Sequence, residues 1–327
     1  MKAAWYKSFG TPAGVLEVGN WKNPEPKSGE VKIRIFASGV NPSDTKKRNG
    51  ANPSLLDSGP VIPHSDGAGV IEAVGPGVSI DRIGERVWVW NGQYGRQEGT
   101  AAEYICLPND QAVTLTENVS YEIGAMMGIP AMTAHRAVLS DGDVNGKNIL
   151  ITGGSGRVGY YAIQWAKLFG ANVIATASSD SSKAECIKAG ADHVVDHPSS
   201  EVNKEILEFT KGAKVDRVVE GDFAANLLPV LDIIKTSGVI ASYSSMTNMN
   251  PSIPFVRMMF MDLTIRLILV YEMPMAAKIA AMKDITKYLS SNQLNHRLAK
   301  SFTLDDIAKA HQLIEKGGNK GCVVLTI

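Results

Sequence analysis

The sequence predicts an α/β chain of two domains, a small closed β-structure and a doubly wound parallel sheet. Three observations carry that expectation. At 327 residues the chain is long for a single hydrophobic core. Its first part, to about residue 125, reads as short strands punctuated by proline. Beyond a glycine-rich turn at 153–159, apolar runs alternate with helix-patterned segments, the mark of βαβ units and a parallel sheet.

Taken in order, Val31-Lys32-Ile33-Arg34-Ile35 alternates as a half-buried strand does. Gly67 to Gly75 forms a strand-like run flanked by glycine, and Arg86-Val87-Trp88-Val89-Trp90 and Ala102 to Leu107 continue the pattern. Pro24, Pro26, Pro42, Pro53, Pro60, Pro63 and Pro76 break these runs, as a closed β-structure with long loops requires. From about 120, Tyr121–Met127 and Ala131–Leu139 read as helices with Pro130 between them.

Asn148 to Ile151 is an apolar run of the kind buried in parallel sheets, and helical spacing follows the glycine turn in Val158, Ala162, Ile163 and Ala166. A strand at Val173, a helix from about 182, a strand at Val194-Val195, a helix over 201–211, a strand over Val215–Val219, a helix near 225–235 and a strand at Gly238–Ala241 come next. Residues 276–291 suggest one long helix. Thr303 opens another, with Asp306 placed to complete its cap. Cys322 to Ile327 closes as a strand that returns, with this helix, to the first domain.

Composition narrows the function classes. Lysine and arginine together number 33, as do aspartate and glutamate, so no field favours nucleic acid or an anionic membrane. The three cysteines form no C-x-x-C, which argues against a disulfide framework or a cysteine zinc lobe and suits a reducing cytoplasm. The N-terminus lacks a signal peptide's apolar stretch. The most apolar segment, Met258–Val270, is too short and too charged to span a bilayer.

Gly154, Ser155, Gly156, Arg157, Val158 and Gly159 fit G-x-G-x-x-G between a strand and a helix, the context that makes this motif informative. Glycines there let the backbone approach a pyrophosphate, whose charge sits at the helix N-terminus. An NAD enzyme wants an acidic residue at the end of the second strand, about 20 residues on, to bond the ribose 2′-hydroxyl. This chain offers Thr176, Ala177, Ser178 and Ser179, with Lys183 one turn further, which favours NADPH. Asp180 speaks against that reading unless it serves the start of the next helix, where Ser182 and Glu185 fit a capping box.

These motifs together resemble the medium-chain dehydrogenase/reductase superfamily, specifically its zeta-crystallin-like NADPH:quinone oxidoreductases. The resemblance lies in Ser38–Asp44, Pro63–Gly75, Gly128–Ala137, Lys188–Asp192 and Gly318–Gly321, and so runs along nearly the whole chain. It implies a GroES-like β-barrel catalytic domain over 1–126, completed by 273–327, and a Rossmann NADPH-binding domain over 127–272, with a substrate cleft between them. It also implies cytosolic homodimers or homotetramers joined along Rossmann edge strands, for which 263–270 is the candidate. Left unpaired, that apolar edge is an aggregation hazard.

Zinc-dependent members of the superfamily carry a Cys, a G-H-E and a later Cys, Asp or Glu. Those ligand positions fall here at Asn41, Ser65 and near Gly128, none a good zinc ligand. His64 lies one residue out of register. A metal-free enzyme needs an acceptor already electrophilic, a quinone or an activated carbonyl.

By resemblance, Asn41 sits beside nicotinamide and substrate, and Thr133 bonds the carboxamide. Ser178 and Ser179 with Lys183 hold the 2′-phosphate, and His197 stands near the adenosine. Thr133 equally suits a bond within its own helix, His197 a purely structural place, and Asp44 either proton delivery or a structural hydrogen bond. Lys46, Lys47 and Arg48 read as a solvated charge run. No residue stands out as a general acid, which leaves protonation of the product to water.

The leading expectation is an NADPH-dependent quinone reductase. An alkenal or enone double-bond reductase would use the same hydride geometry. A crystallin-like or RNA-binding protein is the third possibility; the balanced charge argues against RNA and the retained cofactor motif against a purely structural role.

Overall fold

The computed structural model describes residues 1–197 and 199–327. It resolves into two compact units, Met1–Ile129 with Met282–Ile327, and Pro130–Ala281. The first unit opens with β1 (Lys2–Trp5), α1 (Pro12–Val15), β2 (Glu17–Asn20), β3 (Glu30–Val40), α2 (Pro42–Arg48) and β4 (Asp66–Val74). It continues through β5 (Arg86–Val89), β6 (Tyr104–Pro108), β7 (Ala112–Thr114) and α3 (Tyr121–Gly124).

The second unit holds α4 (Met132–Leu139), β8 (Asn148–Ile151), α5 (Arg157–Leu168), β9 (Asn172–Ala177), α6 (Asp180–Lys188), β10 (His193–Asp196) and α7 (Val202–Phe209). After these come β11 (Val215–Glu220), α8 (Phe223–Ile233), β12 (Ile234–Ser242), α9 (Phe255–Phe260) and β13 (Thr264–Leu267). Helix α10 (Met275–Ser290) leads to β14 (Leu298–Thr303), α11 (Ile307–Lys316) and β15 (Cys322–Thr326), which belong to the first unit.

In the first unit β3 is the axis of a mainly antiparallel sheet, in which, among the described residues, only β14 and β15 pair in parallel. Its start pairs with β6, its end with β15, and β4 runs along most of its length. Register shifts at Lys32/Ile33 and Ile35/Ala37 let one long strand turn between partners, the device by which sheets curl toward closure. Val31, Ile33, Ile35, Ile71, Val87 and Ile105 fill its interior. The C-terminal strand returns to β3 as the sequence suggests.

The second unit is a six-stranded parallel sheet in the order β10-β9-β8-β11-β12-β13, the doubly wound arrangement. The order reverses between β8 and β11, so the turn leaving β8 lies at the switch point, where such sheets bind ligands.

Several boundaries differ from expectation for local reasons. Tyr121–Met127 is α-helical only to Gly124; Met127–Ala131 forms a wide turn around Pro130, which has no N–H to continue an α-helix. Thr303 precedes a 3₁₀ turn, Leu304–Asp306, and α11 starts only at Ile307. Helix α6 begins at Asp180, because Ser179 rather than Ser182 is its cap and accepts the Ser182 N–H. The edge strand expected over 263–270 shortens to Thr264–Leu267 before the turn Val270–Glu272.

Candidate active site

The second unit's site forms where β8 ends. Gly153 adopts φ +60°, a left-handed conformation that suits glycine, and its N–H meets Thr176 Oγ1 at 2.9 Å. A Cβ on Gly159 would stand 2.5 Å from Gly153 O, and one on Gly154 would meet Ala175 and Cys186 within 2.9 Å. The turn therefore packs flat against α5 and β9 only because these positions lack side chains. Gly156 caps α5, whose first residues are Arg157 and Val158. The N–H groups of that first turn have no helical acceptor, a ready place for an anion.

Ser155, Ser178 and His197 line a cavity of about 330 Å³ beside the turn. Its wall also includes Thr176, which the sequence places at the end of the second strand, and Gly153 and Tyr243, which sequence reasoning did not single out. Glu220, buried at the end of β11, accepts from Thr152 Oγ1 at 2.9 Å and from Asn226 Nδ2 at 2.8 Å, while Thr152 Oγ1 accepts the Gly221 N–H at 2.9 Å. Burial raises the Glu220 pKa. This belt ties two strand ends together at the cavity, and its members are 68 or more residues apart in sequence except for Asn226 and Gly221.

Ser179 is committed to capping α6, and Lys183 stands 3.6 Å from Asp196 and 3.8 Å from Asp180. Asp180 is the first residue of α6, where its charge complements the helix dipole. Thr133 is buried on α4 and does not line the cavity. His197 is exposed, with Nε2 at 3.4 Å from Asn226 Oδ1.

In the first unit β3 delivers Asn41 to the start of α2. The Asp44 carboxylate accepts the Asn41 N–H at 2.8 Å, so Asp44 makes the structural hydrogen bond that the sequence leaves as one option. Asn41 Nδ2 donates to Asp66 Oδ2 at 2.8 Å, and the Ile129 N–H reaches both Asp66 oxygens at 2.9 Å. Asn41, Asp44 and Asp66 are all buried. Burial, reinforced by the nearby Asp44 charge, pushes the Asp66 carboxyl up to about 8 against the pull of Ile129, Asn41 and Lys47.

A Cβ on Gly128 would lie 2.0 Å from Asp66 Oδ1, so no ligand side chain fits there. With the Asn41 amide turned onto Asp66 and a serine at 65, the three ligand positions do not fit a zinc ion. Among the described residues, no three of His, Cys, Asp and Glu gather as a group able to hold a metal.

His64 has φ +78°, unusual for a residue with a side chain, and both ring nitrogens are engaged. Thr100 Oγ1 donates to Asp66 O at 2.6 Å and so accepts from Ser38 Oγ at 2.8 Å. Ser38 then accepts from His64 Nδ1 at 2.9 Å, leaving His64 Nε2 to accept from His311 Nε2 at 2.9 Å. Burial lowers both pKa values, that of His311 to about 3. The pair ties the segment before β4 to α11 and is not a metal site.

The reading of residues 46–48 as a solvated charge run needs correction. Lys46 is exposed, but Arg48 is fully buried and bonds Gly10 O and Glu315. Lys47 turns inward, with Nζ 2.5 Å from Gln93 Oε1 and 2.9 Å from Gln93 O. A helix of seven residues points three consecutive side chains in three directions, so a charge run on it does not share one solvated face.

Comparison with known proteins agrees with this architecture. Residues 27–117 match the alcohol dehydrogenase GroES-like domain family and residues 158–287 the zinc-binding dehydrogenase family. The quinone oxidoreductase of Homo sapiens is 32% identical over 241 residues, 73% of this chain and 71% of that protein. A mycobacterial quinone oxidoreductase has a TM-score of 0.89 at 26% identity, with 100% of each chain covered. A mycobacterial protein solved in complex with NADPH has a TM-score of 0.88 at 27% identity, again with 100% of each chain covered.

Proposed function

The chain belongs to the quinone oxidoreductases of the medium-chain dehydrogenase/reductase superfamily, and on that premise we propose that it transfers a hydride from NADPH to a quinone. One observation carries the reading: a complete dinucleotide turn is paired with a catalytic corner whose Asn41, Ser65 and Gly128 cannot hold a metal. An unactivated ketone needs its carbonyl polarised by a Lewis acid, whereas a quinone takes hydride without one.

When bound, NADPH supplies the hydride. The turn from Gly154 to Gly159 and the first N–H groups of α5 receive the pyrophosphate. Ser178 and Lys183 take the 2′-phosphate, with Ser179 holding the start of α6 in place, and the end of β9 carries no carboxylate to repel it. His197 flanks the adenosine and Thr133 the carboxamide. In the first unit, Asn41 is assigned to the reacting groups and Asp44 fixes its backbone.

A homo-oligomer and a cytosolic location complete the proposal. The edge position of β13, with Leu267 at 76%, Leu269 at 53% and Phe260 at 79% exposure, supports pairing with a second copy. Cys106, Cys186 and Cys322, none of them in a disulfide among the described residues, support a reducing compartment. Among the described residues, no helix is long and apolar enough to cross a membrane.

The test compares NADPH oxidation with 1,2-naphthoquinone, a 2-alkenal and a simple ketone, alongside metal analysis of the purified protein. Turnover is expected with the quinone. Reduction of the ketone alone, with one zinc per chain, would overturn the reading.

A further inference from the structure

The inward lysine of α2 has a position with chemical meaning. Besides its two contacts to Gln93, Lys47 Nζ lies 3.4 Å from Ser65 Oγ and 3.7 Å from Asp44 Oδ1. An ammonium carries three N–H groups. Gln93 receives two short contacts, and Ser65 and Asp44 lie at longer range. Gln93 turns its own amide nitrogen to Arg96 O at 2.8 Å, which aims its oxygen at the lysine.

Ser65 and Asn41 stand where zinc-dependent members of the superfamily hold their metal. A unit positive charge is thus fixed at hydrogen-bond range of the corner that a divalent cation serves elsewhere. The lysine side chain keeps 15% of its surface exposed. A buried lysine is costly unless its charge is paired or used, and an apolar side chain would avoid that cost.

We propose that Lys47 is the electrophilic pole of this site: its ammonium exchanges the long Ser65 contact for the acceptor's carbonyl oxygen and stabilises the charge that hydride delivery leaves there. This rests on the reading of the chain as a hydride-transferring quinone reductase. The hydride forms a C–H bond at a ring carbon conjugated with the carbonyl, and the π pairs shift so that one electron pair comes to rest on that carbonyl oxygen as an enolate. The N–H···O bond from Lys47 holds that oxyanion until a proton from solvent reaches it. Enolisation then moves the added C–H hydrogen as a proton, by way of solvent, to the second carbonyl oxygen, which gives the hydroquinone. A preorganised donor aimed at developing charge is a principal source of catalysis in such sites.

The charge balance of the corner suits this role. Burial is the largest influence on Lys47 and lowers its pKa from the ordinary value, and Asp44 is the first of the charges that oppose it. Asp66 retains its own proton up to about pH 8, so at neutral pH Asp44 is the carboxylate that faces the ammonium. The two groups stand 3.7 Å apart as an ion pair on α2.

The experiment compares the wild type with Lys47→Met and Lys47→Arg. One readout is turnover of 1,2-naphthoquinone with NADPH. The other needs no turnover: the NADP⁺-saturated protein is titrated with 4-nitrophenolate, an aromatic oxyanion with a visible band, and with neutral 4-nitroanisole. Lys47→Met should lower kcat/KM and nitrophenolate affinity by roughly 10- to 100-fold each, the worth of a hydrogen bond to a charged group. Nitroanisole and NADPH affinities should stay within about twofold, and Lys47→Arg should recover most of both losses.

A folded Lys47→Met protein within threefold of the wild type in both readouts overturns the proposal. If Lys47→Met does not fold, Lys47→Arg decides: retained preference for nitrophenolate over nitroanisole supports the assignment, and its loss overturns it. A wild type that binds nitrophenolate through Lys47 yet reduces no quinone would keep Lys47 as an oxyanion-binding group but overturn the proposed function, and with it the catalytic step assigned to the lysine.

Discussion

Replacing Asp66 with asparagine should stabilise the protein at pH 8, although the carboxyl group accepts hydrogen bonds from Asn41 and Ile129. Asp66 is buried, and its carboxyl titrates near 8 instead of the usual 3.8. Between those values the unfolded chain has released the proton and the folded chain has not. The unfolded state therefore binds fewer protons, and stability falls as pH rises, by up to about 1.4 kcal/mol per pH unit. Across the window from 3.8 to about 8 this sums to roughly 6 kcal/mol.

Asparagine does not titrate and escapes that loss. Its own cost comes from the second oxygen position, where an NH₂ group would face the Ile129 N–H now 2.9 Å from both oxygens. Two opposed buried donors cost about 1–3 kcal/mol. The variant should thus be equal to or weaker than wild type at pH 5, and stronger by about 2 kcal/mol or more at pH 8. Urea denaturation followed by circular dichroism at pH 5, 6.5 and 8 measures the difference. The buried histidines do not confuse it, because both proteins carry them. His64, His311 (near 3) and His296 (near 4) are held neutral by burial, so they lower stability only as pH falls below about 6.5. Wild-type stability should accordingly peak near pH 6.5, and that of Asp66→Asn should level off above it. A difference that does not change from pH 5 to 8 would refute the reasoning. Asp66 would then be ionised in the fold, with Lys47 as its counter-ion.

Two further outcomes test the cofactor and assembly assignments. Lys183→Ala should weaken NADPH roughly tenfold, as loss of one charge-assisted bond does, and leave NADH within about twofold; it also leaves Asp180 and Asp196, now 3.8 Å and 3.6 Å from the ammonium, facing the phosphate. Equal losses for both nucleotides in fluorescence titrations would remove Lys183 from the 2′-phosphate site. Leu267→Lys places a charge on the exposed β13 edge and should shift the protein to monomers in light scattering, whereas an unchanged mass would rule that edge out as the interface.

The parts of the fold that were legible in sequence are those whose physical cause is local. Gly154 and Gly159 recur at fixed spacing because a Cβ at either would strike atoms of the turn or of its neighbouring strand and helix. The alternation of apolar runs and helical patterns reflects strands buried on both faces. Gly153, with its left-handed backbone, falls outside the spacing rule and so escaped it. Lys47 was misread because its direction is set by Gln93, 46 residues away, and not by its charged neighbours. His64 looked like a displaced ligand because its partner, His311, lies 247 residues further along the chain.

The same distinction governs the missing metal. Read along the sequence, Asn41, Ser65 and Gly128 are three separate departures from a ligand set. In the fold Asn41 and Gly128 answer to one buried group: the Asn41 amide donates to Asp66, and Gly128 lacks a side chain where any Cβ would reach 2.0 Å from Asp66 Oδ1. Ser65 joins through Lys47, whose ammonium lies 3.4 Å from its hydroxyl while also pairing with Asp44. Restoring a ligand at one of these positions would therefore leave the corner unsuited to a metal. A side chain at 128 would displace the Asp66 carboxyl from the Ile129 N–H, and a divalent cation near Ser65 would be repelled by Lys47. The corner is a self-consistent alternative, built around a buried carboxyl whose pKa is raised and a lysine turned inward beside it.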